Sequence, residues 1–146
     1  TFKMSEEAIK INYSMPNEIN KLIMRNINKN SKVLVVGVSY KKDIGDTRFA
    51  PSEKVINSIK QVTRKVNYYD PYLNYWKKYK ISSITDLNSE LKYDLIIFLV
   101  NHEILKKTMN LRISKKCTLI EVGSILNKSL REKLKKKKNL NYINYK

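Results

Sequence analysis

Apolar residues along the chain follow two rhythms. The runs SKVLVVGV (31–38), YDLIIFLV (93–100) and CTLIEV (117–122) are nearly continuous, which predicts strands buried on both faces. KVNYYD (65–70) predicts another strand, closed by the turn signal Asp70-Pro71, and NYINY (141–145) a last one. Between 51 and 62 the rhythm changes. Val55, Ile56, Ile59 and Val62 recur at helical spacing, behind Pro51, which suits a first helical turn, and Glu53, which favours its positive end. Helices are also expected over 74–79, within 84–91 with Thr85 or Asp86 as cap, over 102–111, and over the charged stretch 127–138.

Upstream, Met4, Ala8, Ile11, Met15, Ile19, Leu22 and Ile27 make one apolar stripe, which predicts a helix over residues 5–28. Pro16 must kink or restart it, because proline lacks the N–H donor and clashes with the preceding turn. Ser14 suits the cap of the second segment. This helix stands outside the alternation that follows it.

Strands alternating with helices imply an α/β fold: a Rossmann-like parallel sheet flanked by helices, preceded by a long N-terminal joining helix. The expected division is 1–30 as a helix segment that docks on another domain or subunit, and 31–146 as the sheet domain. Ligands on such sheets bind beyond the carboxyl ends of the strands, at a topological switch point. Those ends fall at 38–48, 70–72, 101–102 and 121–127, and polar residues gather at each.

Composition changes this picture little. The 146 residues suit one domain with a real core. No run reaches the roughly 18 apolar residues of a membrane span. The first residues carry no signal-peptide pattern, and the chain begins at Thr1 rather than Met, which suits a piece of a longer protein. A single cysteine, Cys117, excludes an internal disulfide and suits a reducing, cytoplasmic setting. No Cys/His cluster suggests a metal site.

The net charge, 30 − 13 = +17, raises a nucleic-acid reading. However, lysine outnumbers arginine 25 to 5, amid abundant Asn, Ile and Tyr, which reads as compositional bias. Arginine is the better reader of bases and phosphates. The lysine run at 135–138 is expected to be a solvated helix face.

The most informative stretch is VGVSYKKDIGDTRFAPSEKV (36–55), a strand, a loop and a helix start. A dinucleotide loop there would carry GxGxxG, but Gly37 is followed by Val38, Ser39 and Tyr40. The loop holds Lys41 and Lys42, point charges for phosphate or carboxylate, and Asp43, Asp46 and Arg48, which suit a local network that fixes its shape. Lys41 is either a solvated loop lysine or a ligand contact, and Tyr40 packs either on a ligand or in the core. Asp70-Pro71 reads as a turn, and His102 as a structural residue at a helix start.

Gly37, Tyr40-Lys41, Asp43, Asp46, Arg48 and Pro51-Ser52 together resemble the C-terminal, UDP-binding domain of the UDP-glucose/GDP-mannose dehydrogenase family. YYDPY (68–72), FLVNHEILKK (98–107) and AIKINYSMP (8–16) are similar to further family stretches, so the resemblance covers nearly the whole chain. It implies a domain of an NAD-dependent nucleotide-sugar 6-dehydrogenase, which oxidises the sugar C6 alcohol to a carboxylate with two NAD molecules in turn, as from UDP-glucose to UDP-glucuronate. It implies that Tyr40 and Lys41 contact the UDP-sugar substrate, while Asp43, Asp46 and Arg48 organise the loop. It implies no catalytic residue and no cofactor on this chain. NAD and the catalytic cysteine belong to an N-terminal domain, the partner of this one, which leaves the chain inactive alone. It further implies a homodimer through the N-terminal helix and a place in polysaccharide or uronic-acid precursor synthesis.

One departure stands out: Glu121 follows the family pattern after the last core strand, but Gly123 stands where an arginine is expected. The alternative is a basic Rossmann-like module that binds nucleic acid or a structural partner.

Overall fold

The computed structural model describes residues 16–108, 110–113 and 115–146. Its centre is a five-stranded, all-parallel sheet of β1 (Val33–Val36), β2 (Val66–Tyr69), β6 (Leu95–Phe98), β8 (Cys117–Val122) and β9 (Leu140–Tyr145), in the spatial order β2-β1-β6-β8-β9. Val33 pairs with Val66 on one side and Leu95 on the other, and Cys117 with Leu140. The parallel α/β fold expected from the sequence is therefore the fold observed.

Among the described residues, four helices cover the sheet. Residues 16–24 form α1, followed by α2 (Ser52–Val62), α3 (Glu103–Thr108) and α4 (Lys128–Lys135). The part of the joining helix expected before Pro16, with its Ser14 cap, lies outside the described residues, and α1 stops at residue 24, short of the expected 28.

Strand alternation sorts the core into two layers. Leu34, Val36, Ile96, Phe98 and Leu119 face Leu105 of α3 and Leu130 and Leu134 of α4. Val33, Val35, Leu95, Ile97 and Ile120 face Ile19 and Ile23 of α1 and Val55, Ile56 and Ile59 of α2. Right-handed crossovers explain the split. The step from β1 to β2 moves one way along the sheet and the later steps move the other way, so their helices land on opposite faces. That leaves α2 alone on its face among the crossover helices, and α1 covers the rest.

The connection from β2 to β6 contains no helix, contrary to expectation. Residues 75–82 instead form a hairpin of β3 (Tyr75–Trp76) and β4 (Ile81–Ser82), closed with Lys80 in the left-handed region at φ 54°. Trp76 is buried, edge-on to Tyr68 and Tyr79, while Tyr75 faces outward; this is strand alternation, not a helical stripe. In 84–91, Asp86 accepts from the backbone N–H of Asn88 at 2.8 Å, a local turn that competes with helix capping. Leu87 and Leu91 are both buried without a helix between them. The second ends in β5 (Glu90–Leu91), paired in parallel with β7 (Arg112–Ile113), and that pairing uses residues beyond the shortened α3.

Candidate functional site

The strand order is that of a doubly wound sheet whose connections diverge on either side of the β1/β6 pair, so the switch-point crevice opens beyond Val36 and Phe98. Three loops meet there: 37–51 after β1, 70–74 after β2, and 99–102 after β6.

They are tied at Asp70, whose side chain is completely buried. Its Oδ2 accepts from the backbone N–H of Val38 at 2.9 Å and of Ser39 at 3.1 Å, from the Ser39 hydroxyl at 2.9 Å, and contacts His102 Nε2 at 3.1 Å. Its Oδ1 accepts from the N–H of Tyr72 at 2.9 Å. Burial pushes the Asp70 carboxyl up, but the bonds from His102, Tyr72 and Val38 outweigh it and hold it below its ordinary value. The two amides after Gly37 are thus spent on an internal carboxylate. In a dinucleotide loop those amides would face a pyrophosphate, so this loop does not fit the pyrophosphate of NAD.

Two glycines make the loop's path possible. Gly37 has φ +79°, and a Cβ there would sit 2.8 Å from the Val100 side chain. A Cβ on Gly45 would lie 2.3 Å from the Tyr72 carbonyl oxygen, so the β1 loop runs in backbone contact with the β2 loop. The backbone N–H of Tyr40 donates to the Asp46 carbonyl at 2.6 Å and closes the span between them.

His102 is also fully buried. Its Nδ1 accepts from the backbone N–H of Asp43 at 2.8 Å. That acceptor role puts the proton of the neutral ring on Nε2, which donates to Asp70. Asp43 sits in the left-handed region at φ 60°, and its Oδ1 accepts from the N–H of Glu103 at the start of α3. The Tyr72 ring lies 5.1 Å from the imidazole, centre to centre.

The sequence-predicted residues separate spatially. Tyr40 is half exposed, and Lys41 is exposed with its Nζ 5.6 Å from the Tyr40 ring. Lys41 makes no ion pair among the described residues. Asp46 and Arg48 pair bidentately with each other, Nη2 to Oδ2 at 2.7 Å, and the Arg48 hydrogen bonds draw the Asp46 carboxyl down to about 2. Asp43 engages α3 instead. Asp70 and His102, read from the sequence as a turn and a helix start, form the hub. Beside them Asn101 Oδ1 is shielded from solvent without a protein partner. Ile44, Phe49, Tyr72 and Ile104 are exposed apolar side chains on these loops and α3, Phe49 at 93% and in the left-handed region.

The fourth strand end is organised separately. Glu121 is buried, and its Oε1 accepts from the N–H groups of Ile125 and Leu126, each at 2.8 Å. Arg131 of α4 and the Tyr142 hydroxyl also donate to it. Burial pushes the Glu121 carboxyl up, and Arg131 and Tyr142 more than reverse that. The arginine that engages this acid therefore comes from α4. Gly123 has φ +75° with open space where a Cβ would stand.

Cys117 opens β8 at the amino end of the sheet; burial and the Asp94 charge push its thiol up to about 12, leaving it protonated and unreactive at neutral pH. No group of three or more metal-ligating side chains occurs among the described residues. No helix among them is long and apolar enough to cross a membrane.

Known proteins share this fold. A UDP-N-acetyl-D-mannosamine dehydrogenase of Methanococcus vannielii is 33% identical over 141 residues, covering 90% of this chain and 32% of that protein. UDP-glucose 6-dehydrogenase 2 of Arabidopsis thaliana is 35% identical over 69 residues, 45% of this chain and 14% of that protein. The structure of a UDP-D-ManNAc dehydrogenase from Pyrococcus horikoshii matches the fold with a TM-score of 0.66 at 18% identity, covering 92% of this chain and 31% of that one. The chain spans about a third of the length of the first of these relatives. Residues 34–128 match the UDP binding domain of the UDP-glucose/GDP-mannose dehydrogenase family, and the chain belongs to that family.

Proposed function

We propose that the chain is the nucleotide-sugar-binding part of an NAD-dependent UDP-sugar 6-dehydrogenase, and that its sugar is an N-acetylhexosamine, N-acetylmannosamine first. The observation that supports this reading is the switch-point loop. It is fixed from inside by Asp70 and His102, and it leaves Tyr40 and Lys41 exposed beyond the carboxyl end of β1, the side of the sheet on which doubly wound folds take ligands. Lys41 supplies positive charge to the pyrophosphate or the sugar, and Tyr40 a flat apolar surface. Asp43, Asp46 and Arg48 keep the loop in shape. The choice of sugar draws on the names of relatives such as the Methanococcus vannielii enzyme.

In this reading NAD and the nucleophile that handles the C6 carbon lie outside these 146 residues, because the β1 loop does not fit a dinucleotide and Cys117 is a buried, protonated thiol. The chain alone is inactive, residues 1–30 join it to the NAD domain and carry a homodimer contact, and the setting is cytoplasmic. The test is NAD reduction by the full-length gene product, with UDP-N-acetylmannosamine and UDP-glucose in parallel. Turnover that favours the N-acetylated sugar supports the assignment, turnover of UDP-glucose alone corrects the sugar, and turnover of neither overturns the function.

A further inference from the structure

We propose that His102 is the positioning residue of the β1 loop: its imidazole, fixed as the Nε2–H tautomer, sets where the Tyr40-Lys41 segment stands by accepting from the Asp43 amide while donating to Asp70. The inference builds on the reading of that segment as the nucleotide-sugar loop.

The geometry asks for one side chain that accepts on one edge and donates on the other. Toward the β1 loop stands a backbone N–H, which needs an acceptor; toward the β2 loop stands an ionised carboxylate, which needs a donor. Among the side chains, neutral histidine meets both demands across one rigid ring. The ring is completely buried, with the Tyr72 ring beside it, so water cannot take over either bond. Asp70 itself is shared, since the same Oδ2 holds the amides of Val38 and Ser39 at the base of the loop. His102 and Asp70 therefore fix the β1 loop at two places, 38–39 and 43, and Tyr40-Lys41 lie between these anchors. The segment is further closed by the Tyr40-to-Asp46 backbone bond. Asp43 adds a return link, because its carboxylate holds the N–H of Glu103, the residue after His102. A loop held this way keeps its exposed residues in place before any ligand arrives.

Two substitutions separate the two edges of the ring. His102→Asn places an oxygen near the Nδ1 position and keeps the acceptor for the Asp43 amide. His102→Gln reaches the Nε2 position and keeps the donor to Asp70. Hydrogen exchange of the 146-residue chain is read at residues 39–46. The expected result is exchange close to wild type in the Asn variant and about tenfold faster at the Asp43 amide in the Gln variant. Equal exchange in the two variants, changed or unchanged, overturns the proposal. Nitrogen NMR of the wild-type imidazole gives a check free of any folding defect: a proton on Nδ1 overturns it. UDP titration of the full-length gene product and both variants then separates the two claims. Affinity that falls in the Gln variant and holds in the Asn variant supports both. The predicted exchange pattern in a protein that binds no UDP supports His102 and rejects the nucleotide-sugar reading.

Discussion

At the scale of single residues, the site depends on groups that local sequence does not mark. Gly45 looks like an ordinary turn glycine, yet its missing Cβ is what lets the β1 loop touch the Tyr72 carbonyl. Gly45→Ala is expected to cost about 1–3 kcal/mol by forcing two backbones apart. Gly123→Ala, with open space but φ +75°, should cost only the backbone strain, roughly 1 kcal/mol. Urea denaturation of both variants checks the order. Tyr40, Lys41, Asp43, Asp46 and Arg48 attract notice because they cluster in one short stretch. Asp70 and His102 did not stand out in the same way, because their bonds bridge 32 and 59 positions and no spacing rule connects such distant residues. The nearest signal was negative: a loop without GxGxxG at a strand end needs another use for its amides, and a buried Asp at the next strand end supplies one.

At the scale of elements, the long apolar runs were legible and the short connections were not. Each central strand is buried on both faces or pairs with one that is, so its hydrophobic run survives any local competition. The segment 74–79 had no such run. Its fate was decided by Trp76, which packs on Tyr68 of β2, a tertiary contact invisible to local pattern, and on Tyr79 in the turn between β3 and β4. Trp76→Ala is expected to destabilise the fold by about 3–5 kcal/mol and to loosen the β2-end loop that carries Asp70. Thermal unfolding, read alongside proteolytic cutting between 70 and 82, measures both effects. In 84–91 a helix capped by Thr85 or Asp86 was expected, and the Asp86 turn drew the backbone away from it.

At the scale of the whole molecule, two buried carboxylates organise separate carboxyl ends of the sheet: Asp70 beside the switch point and Glu121 at the end of β8. Both are held below their ordinary values of 3.8 and 4.5, so both bind fewer protons when folded than when unfolded. Their stabilisation is present above those ordinary values and is lost as pH falls through the lower folded ones. Stability measured by denaturant should therefore fall off below about pH 4, and Asp70→Asn should flatten that acid limb. The family and the α/β fold were readable from the sequence because motif and strand pattern agreed. The high positive charge says little about the fold, and its bearing is on anionic partners.

The central claim is that the β1 loop presents Lys41 to a nucleotide sugar. Calorimetric titration of the full-length gene product with UDP-N-acetylmannosamine, comparing wild type with Lys41→Ala, tests it most directly. Loss of one charge-assisted contact to the ligand predicts affinity reduced about tenfold or more, with unchanged folding. Saturable binding that is equally tight in both proteins would contradict the account.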